Sequence, residues 1–425
     1  MRTVTAGLLA FVGLSLGGCA RTPATNIMMT SSRKASPALR GHTELKFSDL
    51  PPPFSTPDSN NPPLVVPPAE GDRLVLPAGF AAATYAEGGL EEPRWLGLTP
   101  NHDVLLSDSK AGTIFLFRGL DAKGGAQERF TFATGLNKPF GMAVLGGYLY
   151  VGDTNAVVRF PYVPGQTQAR GDPEKIADLP GRGYHEHWTR NVVPSQDGTK
   201  LYVTIGSSTN VDAETDPERA SILEMNPDGT GRRIFASGTR NPIGLSFYPG
   251  TNQLWAAVQE RDRLGDDLVP DYLVALKDGG FYGWPFAYLG PHAEPRHSGE
   301  QPDLIAKTLA PDLLFQAHSA VLGLVFYEGP MFPADWRGDA IVAFHGSWNR
   351  SQRTGYKLVR VRFHDGRPLG GYDDFVTGWM RDPSVREVWG RPVGLLVLPD
   401  GSLLVADDGA NKIWRMTYDP SLRSP

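Results

Sequence analysis

Glu92-Pro-Arg-Trp-Leu-Gly-Leu-Thr-Pro-Asn-His-Asp-Val-Leu-Leu-Ser-Asp108, followed by Thr113-Ile-Phe-Leu-Phe-Arg118, reads as a strand, a turn, a strand, a second turn and a third strand. The same plan returns at Lys138-Pro-Phe-Gly-Met142 with Tyr148–Asp153 and Val157–Phe160, at Arg190–Ile205, at Arg240–Val258 and at Ala320–Phe344. A last copy runs from Arg391-Pro-Val-Gly-Leu395 through Ser402–Asp407 and Lys412–Met416, making six copies. They lie roughly 40 to 80 residues apart, the period of blade or solenoid architectures. Each copy is a small antiparallel sheet that cannot bury both faces alone, so radial stacking around a channel is the natural solution. The expected fold is all-β, a six-bladed β-propeller of four-stranded antiparallel blades. The recurring Pro-x-Gly is expected to make a compact turn where each innermost strand enters near the axis. A pair of β-sandwiches or a solenoid is the rival arrangement, because the copies are irregular and the fifth carries a long insertion.

Composition agrees with an all-β chain: 49 Gly and 37 Pro among 425 residues fall between short Val/Leu/Tyr-rich runs. At the start, Arg2 precedes an apolar run, Leu8 to Leu16, too short to remain as a membrane span. It closes in Leu16-Gly17-Gly18-Cys19, which resembles a bacterial lipobox; residues 1–18 are therefore expected to be a lipoprotein signal peptide and Cys19 the lipid attachment site. The expectation is an exported protein on the periplasmic face of a membrane, held by the lipid alone. Ala20, where Asp would retain the protein at the inner membrane, favours the outer one. Cys19 is the sole cysteine, so the folded part has no disulfide, thiolate metal site or cysteine nucleophile. Residues 19–72, polar and then proline-rich, read as a tether, leaving 73–421 for the propeller. A formal charge of −5 without Lys/Arg-rich runs argues against nucleic acid as a partner.

Several blade entrances carry chemistry. His187, in Tyr184-His-Glu-His-Trp-Thr-Arg190, precedes an inner-strand pattern, where a neutral imidazole could take a proton from a substrate hydroxyl. Such a histidine also serves as a hydrogen-bonded loop residue. Arg240 and Asn241, in Gly238-Thr-Arg-Asn-Pro-Ile-Gly244, put a guanidinium fork beside an amide, which suits a planar ligand bearing carboxylates. Gln259-Glu-Arg-Asp262-Arg-Leu-Gly-Asp266-Asp267 gathers acids that could hold a hard cation through oxygen, or form a charged surface loop. Phe344-His345-Gly-Ser-Trp-Asn-Arg350, preceded by His318-Ser319, and Trp389-Gly-Arg391-Pro complete the set. In a propeller these entrances converge on one place.

With these residues in view the chain resembles the glucose/sorbosone dehydrogenase family. The resemblance rests on His187 with the Asp197-Gly198 turn and Leu201-Tyr-Val-Thr-Ile-Gly206, on Gly-x-Arg-Asn-Pro-x-Gly244 and on Gly280-Phe-Tyr-Gly-Trp-Pro285. Phe-His-Gly-Ser-Trp-Asn-Arg350 and Gln-Glu-Arg-Asp262 resemble the sorbosone branch more than the soluble glucose enzymes. The resemblance implies a propeller that holds pyrroloquinoline quinone (PQQ) with Ca2+ and oxidises an aldose or sorbosone-like sugar by hydride transfer. It implies His187 as general base, Arg240 against the quinone carbonyls with a catalytic part, and Asn241, Gln259 and Arg391 as cofactor contacts. It places calcium on the backbone carbonyls of Glu260 and Arg261, with Asp262 in the same set. The chain departs from the pattern at four points. Trp188-Thr189-Arg190 follow the histidine where the glucose enzymes have two glycines. Ser207 stands where an Asp orients it, Trp389 where an arginine is paired, and His345 or Arg350 where a cofactor-binding Lys belongs. No Cys-x-x-Cys-His run is present, so the electron acceptor would be a separate periplasmic carrier, a cytochrome or a quinone. Two other readings keep the fold: a metal-dependent lactonase with carboxylates at the channel mouth, and a non-catalytic propeller binding a sugar polymer or protein.

Overall fold

The computed structural model describes residues 40–181 and 187–422. Six antiparallel sheets carry the chain in sequence order around an axis. Blade one is built from Pro93–Leu98, Val104–Asp108, Thr113–Leu120 and Ala126–Ala133, and blade two from Met142–Leu145, Tyr148–Asp153, Ala156–Pro161 and Glu174–Asp178. Blade three runs from Val192–Pro194 to Arg233–Ser237, blade four from Asn241–Phe247 to Leu313–Leu314, and blade five from Val321–Phe326 to Tyr372–Val376. Blade six takes Pro392–Val397, Leu403–Asp407 and Lys412–Tyr418 from the end of the chain and its outermost strand, Phe80–Glu87, from the beginning. Phe80 pairs with Tyr418 and Glu87 with Lys412, so the ring is closed by a ladder between chain ends. The six sequence copies are the six blades, in the same order.

Burial follows from blade stacking. Second strands such as Val104–Asp108, Ala340–Phe344 and Leu403–Asp407 are buried at every position, because a neighbouring blade covers each face. Between blades five and six, Tyr327, Phe332, Trp336, Phe375 and Trp379 fill the interface. At the axis Trp95, Phe140, Ile243, Leu322 and Val393, from five blades, form an apolar plug. The Pro-x-Gly signature proves to be a packing device rather than a turn: a Cβ on Gly141 would strike the backbone of Asn191, one on Gly244 the Leu322 carbonyl, and one on Gly394 the Arg94 carbonyl. Glycine at these positions lets adjacent innermost strands approach closely enough to narrow the channel.

A buried aspartate ends the second strand of three blades and fixes the approach to the inner strand. Asp108 accepts the Glu91 and Glu92 amides (2.7 and 2.8 Å), Asp153 the Asn137 amide (3.1 Å) and Asp407 the Arg391 amide (2.7 Å). The blade entrances are thereby held in place where the candidate chemistry lies.

Two expectations change. The long insertion belongs to blade four, between Tyr272–Ala275 and Leu313–Leu314; it adds Gly280–Phe281 to the edge of blade three and includes the four-residue helix Pro302–Ile305. Of the 19–72 tether, the described part is laid onto the propeller. Arg40–Thr43 covers the edge of blade five by pairing with Tyr372–Val376, and Leu64–Val65 runs parallel to Glu387–Val388. Between them Phe54 N–H donates to the Leu264 carbonyl and Asn61 N–H to the Trp348 carbonyl, both at 2.8 Å. Any free tether therefore ends before Arg40. The 1–18 signal and Cys19 lie outside the described residues.

Candidate active site at the channel mouth

Above the apolar plug, whose Ile243 and Leu322 form its floor, the blade entrances enclose a cavity of about 340 Å³. His187, Arg240, Asn241, Gln259, Glu260, Asp262, His345 and Arg391, eight of the expected site residues, all face it.

His187 sits just ahead of blade three in a left-handed conformation (φ +23°). Its Nδ1 lies 3.0 Å from both the carbonyl and the hydroxyl oxygen of Ser207. The carbonyl can only accept, and the hydroxyl already donates to the Thr209 carbonyl (2.6 Å), so Nδ1 carries the proton and the basic lone pair belongs to Nε2. Burial, with the nearby Arg240 charge adding to it, drives the imidazole well below its ordinary pKa, so it is neutral at pH 7. Arg190, itself fully buried, donates from Nη1 to the His187 carbonyl (2.8 Å) and locks the loop. The missing orienting carboxylate is thus replaced by Ser207.

Arg240 is buried and makes three bonds: Nη1 to the Glu260 carbonyl (2.7 Å), and Nη2 to Asn210 Oδ1 (3.0 Å) and Asp262 Oδ2 (3.1 Å). Asn241 Nδ2 donates to Gln259 Oε1 (3.0 Å), and Gln259 Nε2 to the Val321 carbonyl (3.2 Å), so blades four and five fix both amides. Burial raises Glu260 to about 8, leaving it largely protonated at neutrality. Asp262 is partly buried, yet Arg240 and His318 hold it below the usual carboxylate range. His318 faces two acceptors, Asp262 Oδ1 (3.3 Å) and the Gly265 carbonyl (2.9 Å), and needs a proton on each nitrogen; its pKa is raised accordingly despite its burial.

Across the cavity stands a second cluster. His345 Nε2 lies 2.9 and 3.0 Å from the Asp408 carboxylate oxygens, and Arg94 Nε lies 3.0 Å from Asp408 Oδ2. Burial and Arg391 lower His345 to about 4, so it donates one Nε2 proton to an ionised Asp408 and keeps a lone pair on Nδ1. Arg391 leans over, its Nε 3.3 Å from the His345 carbonyl.

Three expected residues stand elsewhere. Arg350 turns to the Asp266 carbonyl and to Asp267 (2.7 Å to Oδ1), away from the cavity. The Trp389 ring packs between Trp379 and Trp414, with its N–H on the Gly378 carbonyl (2.7 Å), and is a core residue. Arg261 lines the neighbouring cavity, where its guanidinium pairs with buried Glu294; its expected part was that of its backbone carbonyl. Sequence reasoning passed over Arg94 and Asp408, which are far apart in the chain. Their only signal is an arginine in the Glu92-Pro-Arg-Trp95 entrance and the doubling of the aspartate at Asp407-Asp408.

The donor set fits a planar quinone bearing carboxylates. Arg94, Arg240 and Arg391 bring three guanidinium groups to one cavity, where the His187 and His345 imidazoles are neutral and His318 is held protonated against Asp262. Arg240 Nε, Asn241 Oδ1 and Glu260 Oε1 are buried there with no hydrogen-bond partner, and such atoms cost about 1–3 kcal/mol each unless a ligand completes them. Of the calcium set, the Glu260 carbonyl and the Asp262 carboxylate are already engaged as arranged. Arg240 occupies the position a cation would take between the Glu260 carbonyl and the Asp262 carboxylate, and the Asp262 carbonyl accepts from Asn210 and Arg261 (both 3.0 Å). Among the described residues no cluster of three His, Cys, Asp or Glu side chains could hold a metal.

Fold and site together define a six-bladed propeller with an arginine-rich, histidine-bearing axial cavity. The chain belongs to the TrAA12-like family, whose profile matches residues 74–270 and 297–419. An uncharacterized protein of Borreliella burgdorferi is 28% identical over 356 residues, 81% of this chain and 91% of its own length. Among solved structures, the holo form of the PQQ domain of pyranose dehydrogenase from Coprinopsis cinerea matches with a TM-score of 0.71 at 21% identity, over 82% of this chain and 98% of that one. The calcium structure of the Trichoderma reesei family AA12 enzyme gives 0.71 at 20% identity, over 81% and 97%. At that identity the two likenesses establish the shared propeller fold.

Proposed function

We propose that this protein is a quinone-dependent oxidoreductase that dehydrogenates a carbinol of an aldose or sorbosone-like sugar, with PQQ in the axial cavity and His187 as general base. The observation that carries the reading is the fixed Nδ1–H tautomer of a partly buried, neutral His187 in a cavity gathering three guanidinium groups. The similarity to a PQQ-binding pyranose dehydrogenase supports it. When bound, the quinone supplies a two-electron acceptor for the hydride leaving the sugar carbon. His187 Nε2 takes the hydroxyl proton as the C–H electrons depart, and the carbonyl forms. Arg240 would hold the acceptor's oxygen side and offset negative charge there, above the apolar floor of Ile243 and Leu322. Arg94 and Arg391 would pair with carboxylates of the cofactor, while His345, held by Asp408 through Nε2, would offer it an accepting Nδ1 lone pair and not a lysine's donors. Calcium, present in the Trichoderma reesei structure, would have to displace Arg240 and forms no part of the proposal.

Electrons leave through a separate carrier, and export with lipid attachment at Cys19 would place the enzyme at the periplasmic face of a membrane. Loss of lipid labelling in Cys19→Ser checks the anchor, and labelling that survives the change discards it. The test of the enzyme is addition of PQQ to purified protein, followed by optical titration and dye reduction with a sugar panel; a spectrum unchanged by saturating PQQ ends the proposal. The lactonase reading requires metal-binding carboxylates at the mouth, which the described residues do not provide, and it predicts hydrolysis without dye reduction.

A further inference from the structure

Beside the axial cavity lies a second one of about 390 Å³, and the two share Arg240, Asp262 and Trp348. Its far wall comes from the N-terminal strap. Phe54 presents its ring there at 62% exposure, and Trp348 is 36% exposed. An aromatic ring in water gives up the stabilisation of burial, roughly 1.5–3 kcal/mol. Phe54 is nevertheless fixed outward. It has φ +65°, a conformation in which a bulky residue is a genuine outlier. The triple proline Pro51–Pro53 stiffens the chain before it. Its N–H donates to the Leu264 carbonyl (2.8 Å), and Thr56 Oγ1 accepts the Asp266 amide (2.7 Å). Around the two rings stand half-exposed polar groups, Arg263 near Asp58 (3.7 Å) and Arg296 near Asp212 (3.3 Å). Four arginines line the cavity, and each has one carboxylate partner: Arg240 with Asp262, Arg261 with Glu294, Arg263 with Asp58 and Arg296 with Asp212, so their charges are paired. Exposed aromatic faces ringed by neutral-sum fork donors and carboxylates match a sugar ring, which has apolar C–H faces and an equator of hydroxyls.

We infer that this cavity is an accessory subsite for the second ring of a di- or oligosaccharide whose terminal unit enters the axial cavity, and that the N-terminal strap helps set substrate length. The inference rests on the proposed sugar chemistry for its orientation, but its binding test does not need turnover.

Calorimetry or ligand-observed NMR with cellobiose and maltose, against glucose as the single-ring control, is run on the full chain without cofactor and on Phe54→Ala and Arg263→Ala. A disaccharide is expected to bind at least tenfold more tightly than glucose, and each substitution to remove most of that preference while leaving glucose binding within twofold. In PQQ-loaded protein the disaccharide-to-glucose ratio of kcat/KM should fall by the same factor in Phe54→Ala. Equal affinity for one ring and two, or a preference untouched by both substitutions, overturns the subsite. Phe54-dependent binding without dye reduction by any sugar would sustain the subsite and defeat the oxidoreductase reading instead.

Discussion

Replacing Ser207 by Ala tests the device that readies His187. Nδ1 has two oxygen partners at 3.0 Å, a carbonyl and a hydroxyl, and the substitution removes only the second. A net hydrogen bond is worth about 1 kcal/mol, and about 1.4 kcal/mol is tenfold in rate, so kcat should fall roughly 3- to 10-fold with the tautomer intact. Removing the imidazole altogether in His187→Asn should cost about 10²- to 10⁴-fold, the range for a positioned general base. The pH profile supplies an independent check. The base works when neutral, and burial with Arg240 holds it well below 6.5; the wild-type rate should therefore stay level as pH falls through 6.5 and drop only at more acid values. Arg240→Gln removes the repelling charge, so at saturating cofactor its acid limb should move up toward 6.5. Steady-state dye reduction with PQQ-loaded protein between pH 5 and 9 reads all three variants. The reasoning is refuted if His187→Asn stays within threefold of wild type. It is equally refuted if Ser207→Ala is as damaging as His187→Asn, because the carbonyl would then contribute nothing to orientation.

Three further outcomes follow from the geometry. Gly394→Ala places a Cβ against the Arg94 carbonyl and should destabilise the ring by about 2 kcal/mol or more; an unchanged urea midpoint would show that the inner strands can part without cost. With His345 held near 4, the unfolded chain takes up a proton at this residue between pH 6.5 and 4 that the folded one refuses, so stability is lost as pH falls through that window. His345→Gln should remove about 3 kcal/mol of that acid loss, measured as the difference in unfolding free energy between pH 7 and 4 for the two proteins. Quinone affinity should change less than about threefold between chelator and millimolar calcium, because Arg240 already holds the Glu260 carbonyl; a hundredfold gain with calcium would mean that Arg240 swings out when cofactor enters.

The fold was readable because a propeller repeats: each Pro-x-Gly and each strand-ending aspartate restates one local solution, and Asp108, Asp153 and Asp407 make the same kind of bond to the chain entering an inner strand. The site was readable only at the residues lying at those restated positions. His187, Arg240 and Arg391 stand at blade entrances, so knowing the period was enough to bring them to one mouth. Arg94 also stands at an entrance, but its role depends on Asp408 at the other end of the chain, and no local pattern joins them until the Phe80–Glu87 strand closes the ring. Arg350 and Trp389 failed for the converse reason. They sit within conspicuous polar and aromatic runs, yet side-chain direction is decided by tertiary partners: Asp266 and Asp267 draw Arg350 outward, and Trp379 and Trp414 take Trp389 into the core.

The Pro-rich segment shows the same limit from the other side. Residues 40–72 have no periodicity because, apart from short local turns, their bonds are made with blades five and six and with the loops between Asp262 and Arg353. A strand such as Leu64–Val65, two residues long and exposed, carries no sequence signal of its own, and pairing with Glu387–Val388 defines it. That dependence has a functional consequence. Asn349 donates to Asp58 Oδ1 (2.6 Å) and to the Ser59 carbonyl, and Asn61 N–H donates to the Trp348 carbonyl, so the strap grips the loop that carries His345 and Trp348 from the tryptophan onward. A pull on the strap from its N-terminal side would therefore act first on the Arg40–Thr43 pairing with blade five and only afterwards on the wall of the cavity.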